Sequence, residues 1–422
     1  MLLRSVLITD PASPHHGLTR DVRIENGRIA EIGEDLGEGA QVPSFHAAGA
    51  RLSPGFVDLG AYLGDPGHEE REDIASLVAS ARAGGYVAVA VLPNTDPVRQ
   101  TVTDMAYLRA RSADAAVQLL PLAALSRDAA GKDLTGMMEL ADAGALAFTD
   151  GPAAPAGGSL LKRALEYANG FGGTIVDTPF DPELAEDGQM HEGRQSVELG
   201  LRGIPEMCET IPLRRALSIR AYTRGRLVIH LLSTAEAVGL IREHGLSPAG
   251  LRGCTVSAHH LSFTDAELSG FDPSFKILPP LREAADREAL RAGLLDGTIT
   301  AIVSHHRARH GEEKDLEFSY AAFGALGLET AFLQQLEWAR EDAELDRVVT
   351  AFTAGPRALL GLDEVIVREG MPAELTLFTT DGTRVFGPGD LRGKTRNHPL
   401  LGRQLRGRIL GTVHNDRLWT SA

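Results

Sequence analysis

Cysteine is almost absent: 422 residues hold only Cys208 and Cys254. Two thiols outside any CxxC spacing exclude a disulfide scaffold and fit a reducing compartment. Each reads as a small buried apolar residue. Long apolar runs are missing too, since no window approaches the roughly 18 apolar residues of a membrane span. The opening stretch MLLRSVLITDPASPHHG is too short to cross a bilayer and lacks a small-residue cleavage site. The chain is therefore expected in the cytoplasm. Positive charge is in short supply, with 42 Lys and Arg against 57 Asp and Glu and a net charge of −15. That balance argues against nucleic-acid and anionic-membrane partners. The GxGxxG and P-loop patterns and the GxSxG nucleophile elbow do not occur.

What is present has a rhythm. The first ~50 residues read as short strands, with Asn26-Gly27 suited to the two φ > 0 positions of a type I′ hairpin turn. From Gly55 on, apolar runs alternate with amphipathic stretches. The runs are FVDLGAYL, VAVAVLPN, VQLLPLAAL, ALAFTD, GTIVDTPF, RLVIHLL, CTVSAHH and TAIVSHH. Continuous apolar runs fit strands buried on both faces of a parallel sheet, and the alternation predicts a (β/α)8 barrel over 52–365. A strand pattern returns in EVIVREGMPAELTLFTT and LRGRILGTVHNDRLW. A small β-sandwich is thus expected from both chain ends, 1–51 and 366–422. GPAAPAGG at 151–158 reads as a flexible loop where a barrel carries function. EEKDLEF reads as a solvated helix start.

In a barrel the chemistry sits at the C-terminal ends of the strands. There, PGFVDLGAYLGDPG (54–67), LPNTDP (92–97), GALAFTD (144–150), DPELAEDGQMHEG (181–193), LSTAEAV (232–238), AHHLSFTD (258–265), KILPPLR (276–282), GEEKDLEFSYAAFGALGLETAF (311–332) and LLGRQLRGRILGTV (400–413) follow one another. This succession resembles the dihydroorotases, cyclic amidohydrolases of the amidohydrolase superfamily, over essentially the whole chain.

The resemblance implies a zinc site, and this sequence departs from it at strand after strand. The family's His-x-His, which aims two imidazoles inward from one strand, falls on Gly60 and Tyr62. Its carboxylate-holding Arg falls on Gly64. The metal-binding Asp falls on Gly151, beside a surviving Asp150, and the His of the His-Cys-Glu-Asp motif falls on Thr178. The His of His-x-Ser-Thr falls on Leu231. His230 lies one residue early, where strand alternation would point it to the opposite face. The catalytic Asp falls on His305 and a substrate-binding His on Arg309. Asn94, Pro280 and Arg282 match residues that contact substrate or line the pocket, although an Asn ending a strand also caps the next turn.

A catalytic zinc needs about three protein ligands and an open position for water. The expectation is therefore a chain without catalytic residues or cofactor. The resemblance implies a non-catalytic homologue in pyrimidine biosynthesis, a homo-oligomer and a structural partner of aspartate carbamoyltransferase. Two other readings stand beside it. One is a working hydrolase of dihydroorotate and carbamoyl-aspartate, with zinc relocated among His305, His259, His260, His306 and His310. The other is a small-molecule sensing module using the Asn94 and Arg282 side of the pocket. Tyr62 is a candidate plug for the vacated metal cavity.

Overall fold

The computed structural model describes residues 1–37, 43–113, 115–152, 157–247, 249–414 and 416–420. Of the loop predicted at 151–158, residues 153–156 lie outside this set.

Eight parallel strands form the barrel, hydrogen-bonded in chain order. They are β1 (Phe56–Ala61), β2 (Tyr86–Val91), β3 (Gln118–Ala123), β4 (Ala147–Phe148), β5 (Thr174–Asp177), β6 (Arg226–Leu232), β7 (Leu251–Ser257) and β8 (Ala301–Val303). Each overlaps one of the apolar runs, β2 starting one residue and β7 three residues before its run, for the reason anticipated: both faces are buried. Val57, Leu59, Ala88, Ala90, Leu122, Val176, Val228 and Val303 fill the inside. Their alternates Phe56, Val89, Leu119, Ile175, Ile229 and Ile302 pack outward under the helices. Small residues such as Ala88, Ala90, Ala147 and Ala301 let eight strands close around so narrow a core. The seam between β8 and β1 is sealed by Asp58, whose carboxylate accepts the Ser304 backbone N–H (2.7 Å) and hydroxyl (2.6 Å). Beyond it, Tyr62 N–H donates to the His306 carbonyl at 3.0 Å.

The helices start and stop where local chemistry directs. Asp73 caps Ile74–Ala83, and Asp73 and Ser76 form a reciprocal capping box. Thr101 and Thr234 cap Val102–Ser112 and Ala235–His244. Gly84, Gly170 and Gly361 follow helix ends. One predicted run divides: CTVSAHH gives β7 only to Ser257, and Ala258–Ser262 turns into a short helix carrying His259 and His260.

Both chain ends build one eight-stranded, mostly antiparallel sheet. Leu2–Ile8 pairs antiparallel with Thr19–Glu25, whose hairpin with Arg28–Gly33 turns at Asn26 (φ 52°) and Gly27 (φ 71°). The predicted type I′ turn is present. Arg51–Pro54 joins the opening strands to Leu375–Val385 of the carboxyl-terminal half. Leu3, Val6, Leu52, Leu375, Leu377 and Val413 share one core. All eight strands thus belong to a single hydrogen-bonded sheet that wraps this core.

Candidate functional site at the mouth of the barrel

At the end of β1, Gly60 adopts φ 101°, and a Cβ there would lie 2.7 Å from both Cε1 and Nε2 of His230. The His230 imidazole thus occupies the space that the resemblance gives to a metal-binding histidine at residue 60. The expectation that His230 points away from the barrel is corrected here. Leu231 takes φ 63° and the pairing of β6 with β7 slips between Ile229 and Leu232. This bulge breaks the alternation. Leu231 joins the inner core while His230 still meets Gly60 from inside. His230 bonds the Thr255 hydroxyl through Nδ1 at 2.9 Å, and burial pushes its pKa down to about 3, so the ring is neutral.

Gly151 repeats the pattern. It has φ 65°, and a Cβ would collide with Oδ1 of Asn94. The Asn94 amide donates to the Asp150 carbonyl at 2.9 Å, and its oxygen is buried without a hydrogen bond. The surviving Asp150 turns back to Ser126, accepting its N–H (2.8 Å) and hydroxyl (2.5 Å). Burial raises the Asp150 pKa against those two bonds. Thr178 is buried with its hydroxyl unpartnered. Before it, Asp177 is pushed up to about 6 by burial, with Arg215 opposing.

The histidines do not converge. His305, at φ 53°, keeps a buried, unpartnered Nδ1. Its ring lies 6.3 Å from that of His260 and 6.4 Å from that of His259. His260 Nε2 donates to the Pro280 carbonyl at 3.0 Å. His306 accepts the Gly327 and Leu328 N–H groups on Nδ1 and donates Nε2–H to Glu72 at 2.8 Å. His310 caps the short helix Gly311–Lys314. Among the described residues, one group of three metal-type donors comes within 4.8 Å, and it is not at these strand ends: His191, Glu206 and Asp286. Arg282 donates to His191 Nδ1 at 3.0 Å. An arginine only donates, so the His191 proton sits on Nε2 and the remaining nitrogen has no free lone pair. The residues present therefore do not fit a catalytic zinc.

The structure brings Tyr62, Gly64, Asn94, Arg71, Arg307 and Arg309 around one cavity of about 300 Å³. Tyr62 is half-buried against the inner core, and the Arg307 guanidinium lies 4.4 Å above its ring. Gly64 is where the chain folds back, with N–H to the Glu72 carbonyl at 3.0 Å; a Cβ there would strike the His68 carbonyl. Glu313 spans Arg71 and Arg309, 2.9 Å from each. Glu72 faces His306 and Ser76.

Two residues expected in the pocket lie elsewhere. Arg282 is fully buried against Glu209 (3.8 Å), Ser233 and the Ile204 carbonyl. Pro280 supplies the carbonyl that holds His260. From that segment it is Leu278 that borders the cavity. Sequence reasoning missed Arg71, Arg307 and Glu313. Their signal is the charge in EREDI, SHHRARH and GEEK, which is indistinguishable from a solvated surface until the loops fold together.

A dihydroorotase from Anaeromyxobacter sp. (strain K) is 38% identical over 419 residues, covering 97% of this chain and 95% of that protein. The chain belongs to the dihydroorotase family. The profile of the Dihydro-orotase-like family matches residues 49–237. A dihydroorotase from Syntrophotalea carbinolica is 35% identical over 426 residues, covering 99% of this chain and 98% of the relative. Among solved structures, the L-hydantoinase (dihydropyrimidinase) from Arthrobacter aurescens superposes with a TM-score of 0.86 at 19% identity, over 99% of this chain and 95% of its own. The dihydropyrimidinase from Brevibacillus agri gives 0.83 at 17%, over 99% and 94%. At such identities the likeness is one of fold: the amidohydrolase barrel with its sheet of terminal strands. Within this dihydroorotase-family frame, Gly60, Tyr62, Gly151, Thr178, Leu231 and His305 stand at strand ends or just beyond them.

Proposed function

We propose that this dihydroorotase-family chain is a non-catalytic, metal-free barrel of pyrimidine biosynthesis that serves, as a homo-oligomer, as a structural partner of aspartate carbamoyltransferase. One observation carries the non-catalytic part: the positions for metal donors are filled by other contacts. His230 packs on Gly60, Asn94 packs on Gly151, and Tyr62 lies under Arg307. Without a bound divalent ion, no water is acidified toward neutral pH and no ring carbonyl is polarised. The partner role rests on family analogy. A second reading, a working dihydroorotase, is favoured by the names of the 34–38% identical relatives. Elemental analysis of the purified chain with a dihydroorotate hydrolysis assay separates the two. Zinc well below one equivalent with no hydrolysis is the expected result; stoichiometric zinc with turnover overturns the proposal. Co-purification with aspartate carbamoyltransferase, and loss of that enzyme's activity when this chain is deleted, tests the partner role.

A further inference from the structure

Away from the mouth, charge is spread unevenly along the chain. Residues 384–408 hold seven Lys and Arg and a single carboxylate, Asp390, in a chain of net charge −15. Part of this positive charge is satisfied locally. Arg403 pairs with Glu267 at 2.7 Å, Lys394 pairs with Asp73 at 2.5 Å, and Arg406 donates to the Leu336 carbonyl at 3.2 Å. Three of the others gather in one place. Arg384, Arg392 and Arg408 line a cavity of about 200 Å³ together with Arg82, which arrives from the last turn of the helix Ile74–Ala83. Ala83, Leu333 and Ile409 give the cavity an apolar wall. That helix ends just before β2 begins, so the cavity lies at the end of the barrel opposite the mouth. Arg384 and Arg408 come from the paired strands Leu375–Val385 and Gln404–His414. The pairing slips between Thr379 and Thr383, where Gly407 takes φ 69°, and the two arginines stand on either side of that break. Bulges of this kind re-aim the side chains beside them.

Asp390 is the acidic member of the described lining, and both its oxygens are engaged, one by Arg384 and one by the Gly387 N–H at 2.8 Å. Burial works to raise its carboxyl, yet the Gly387 N–H and the Arg384 and Arg392 charges hold it below the usual range. It stays ionised and cancels one guanidinium. Four arginines against one carboxylate leave three positive charges in surplus around the cavity. Among the described residues, the side chains of Arg82 and Arg408 make no hydrogen bond or ion pair. A cation in a last helical turn complements the helix dipole, which accounts for Arg82 but for none of the other three.

We propose that this cavity binds the phosphoryl group of a small phosphorylated metabolite or of pyrophosphate. Guanidinium forks match phosphate oxygens in paired hydrogen bonds. A phosphoryl group carries about two negative charges on oxygens clustered at one centre, whereas a single carboxylate would leave most of the surplus uncompensated. The volume of about 200 Å³ falls below that of pockets which enclose a whole ligand. It seats the phosphoryl group and leaves the rest of the ligand in solvent. The acidic remainder of the chain repels a long polyanion such as nucleic acid, so the attraction is confined to the concavity. The site is independent of whether the barrel mouth holds a metal or hydrolyses anything.

Calorimetric titration of the full chain at fixed ionic strength with pyrophosphate, ribose 5-phosphate, inorganic phosphate and succinate tests this. At least one of pyrophosphate and ribose 5-phosphate should bind saturably with a Kd below about 1 mM, and at least about tenfold more tightly than succinate, whose two charges lie at separate ends. Tighter binding of ribose 5-phosphate assigns the site to phosphate esters; tighter binding of pyrophosphate assigns it to the diphosphate group. Arg82→Gln and Arg408→Gln should each weaken binding by about fivefold or more. Arg82→Lys keeps the charge without the fork, and its affinity should also fall. Arg417→Gln removes the same charge from the neighbouring strand Arg417–Thr420, outside the cavity, and should leave affinity unchanged. The bound probe should raise the thermal midpoint of the wild type and raise it less in Arg408→Gln. Arg408 is exposed, so Arg408→Gln carries the test should Arg82→Gln fail to fold. No binding of either probe up to about 10 mM, succinate binding as tightly, or unchanged affinity in folded Arg82 and Arg408 variants overturns the proposal. So does an equal loss in Arg417→Gln. Binding of inorganic phosphate without either probe marks an adventitious ion only and overturns it as well.

Discussion

Gly60 and its neighbour across the barrel, His230, show how a single position is closed to reversal. A side chain at residue 60 must bear both φ 101° and a contact of 2.7 Å with the His230 ring. Gly60→His with Tyr62→His should therefore cost stability, about 1–3 kcal/mol from the backbone alone, and should recruit no zinc. Urea unfolding and elemental analysis read both; stoichiometric zinc in the double variant would refute the account. His230 also makes a pH-dependent contribution. Its folded pKa of about 3 lies below the ordinary value near 6.5, so below pH 6.5 the unfolded chain takes up the proton first. The stability His230 contributes is present above pH 6.5 and is lost as pH falls toward the folded pKa, at about 1.4 kcal/mol per pH unit. The difference in unfolding free energy between wild type and His230→Asn should accordingly shrink between pH 7 and pH 5. A difference constant with pH would sink the assignment.

The segment that carries Arg307, Arg309 and Glu313 behaves as one element. Its charge run was expected to be a solvated helix start, and that expectation fails at Lys314. The side chain is buried, its ammonium donating to the Ala322 and Gly324 carbonyls at 2.9 Å each. Lys276 reaches the same loop from below, donating to the Phe318 carbonyl at 2.6 Å and lying over the Phe318 and Phe323 rings. Carbonyls that accept from buried ammonium groups are bonds the loop cannot replace with water. Lys314→Ala should release residues 311–324 to faster amide exchange while the barrel strands keep their protection. Hydrogen-exchange mass spectrometry reads this directly, and unchanged exchange in that segment would show the clamp to be incidental. A charge run is legible in sequence; which of its members is buried depends on carbonyls contributed by residues farther along the chain.

Closure of the whole barrel depends on a polar seam inside an apolar wall. Asp58 is fully buried, and burial raises its pKa even though two Ser304 groups bond it. Asp58→Leu would leave the Ser304 N–H and hydroxyl without their acceptor, at about 1–3 kcal/mol for each stranded group. The expected outcome is a global loss of unfolding free energy, measured by urea titration, with β1 and β8 losing protection together. Ser304→Ala should cost less, since it leaves the backbone N–H bond in place; the reverse order would contradict the seam.

The sequence by itself determined the eight-strand barrel, the hairpin at Asn26-Gly27 and the joining of the two chain ends in one β unit. These follow from local periodicity, turn stereochemistry and residue identity, all of which can be read along the chain. Only the tertiary structure decided that His230 turns inward through a bulge at Leu231, that Arg282 is a buried partner of Glu209, and that Arg307 stacks on Tyr62. Each of these depends on where residues far apart in sequence meet, and on which polar groups are left to satisfy one another once water is excluded.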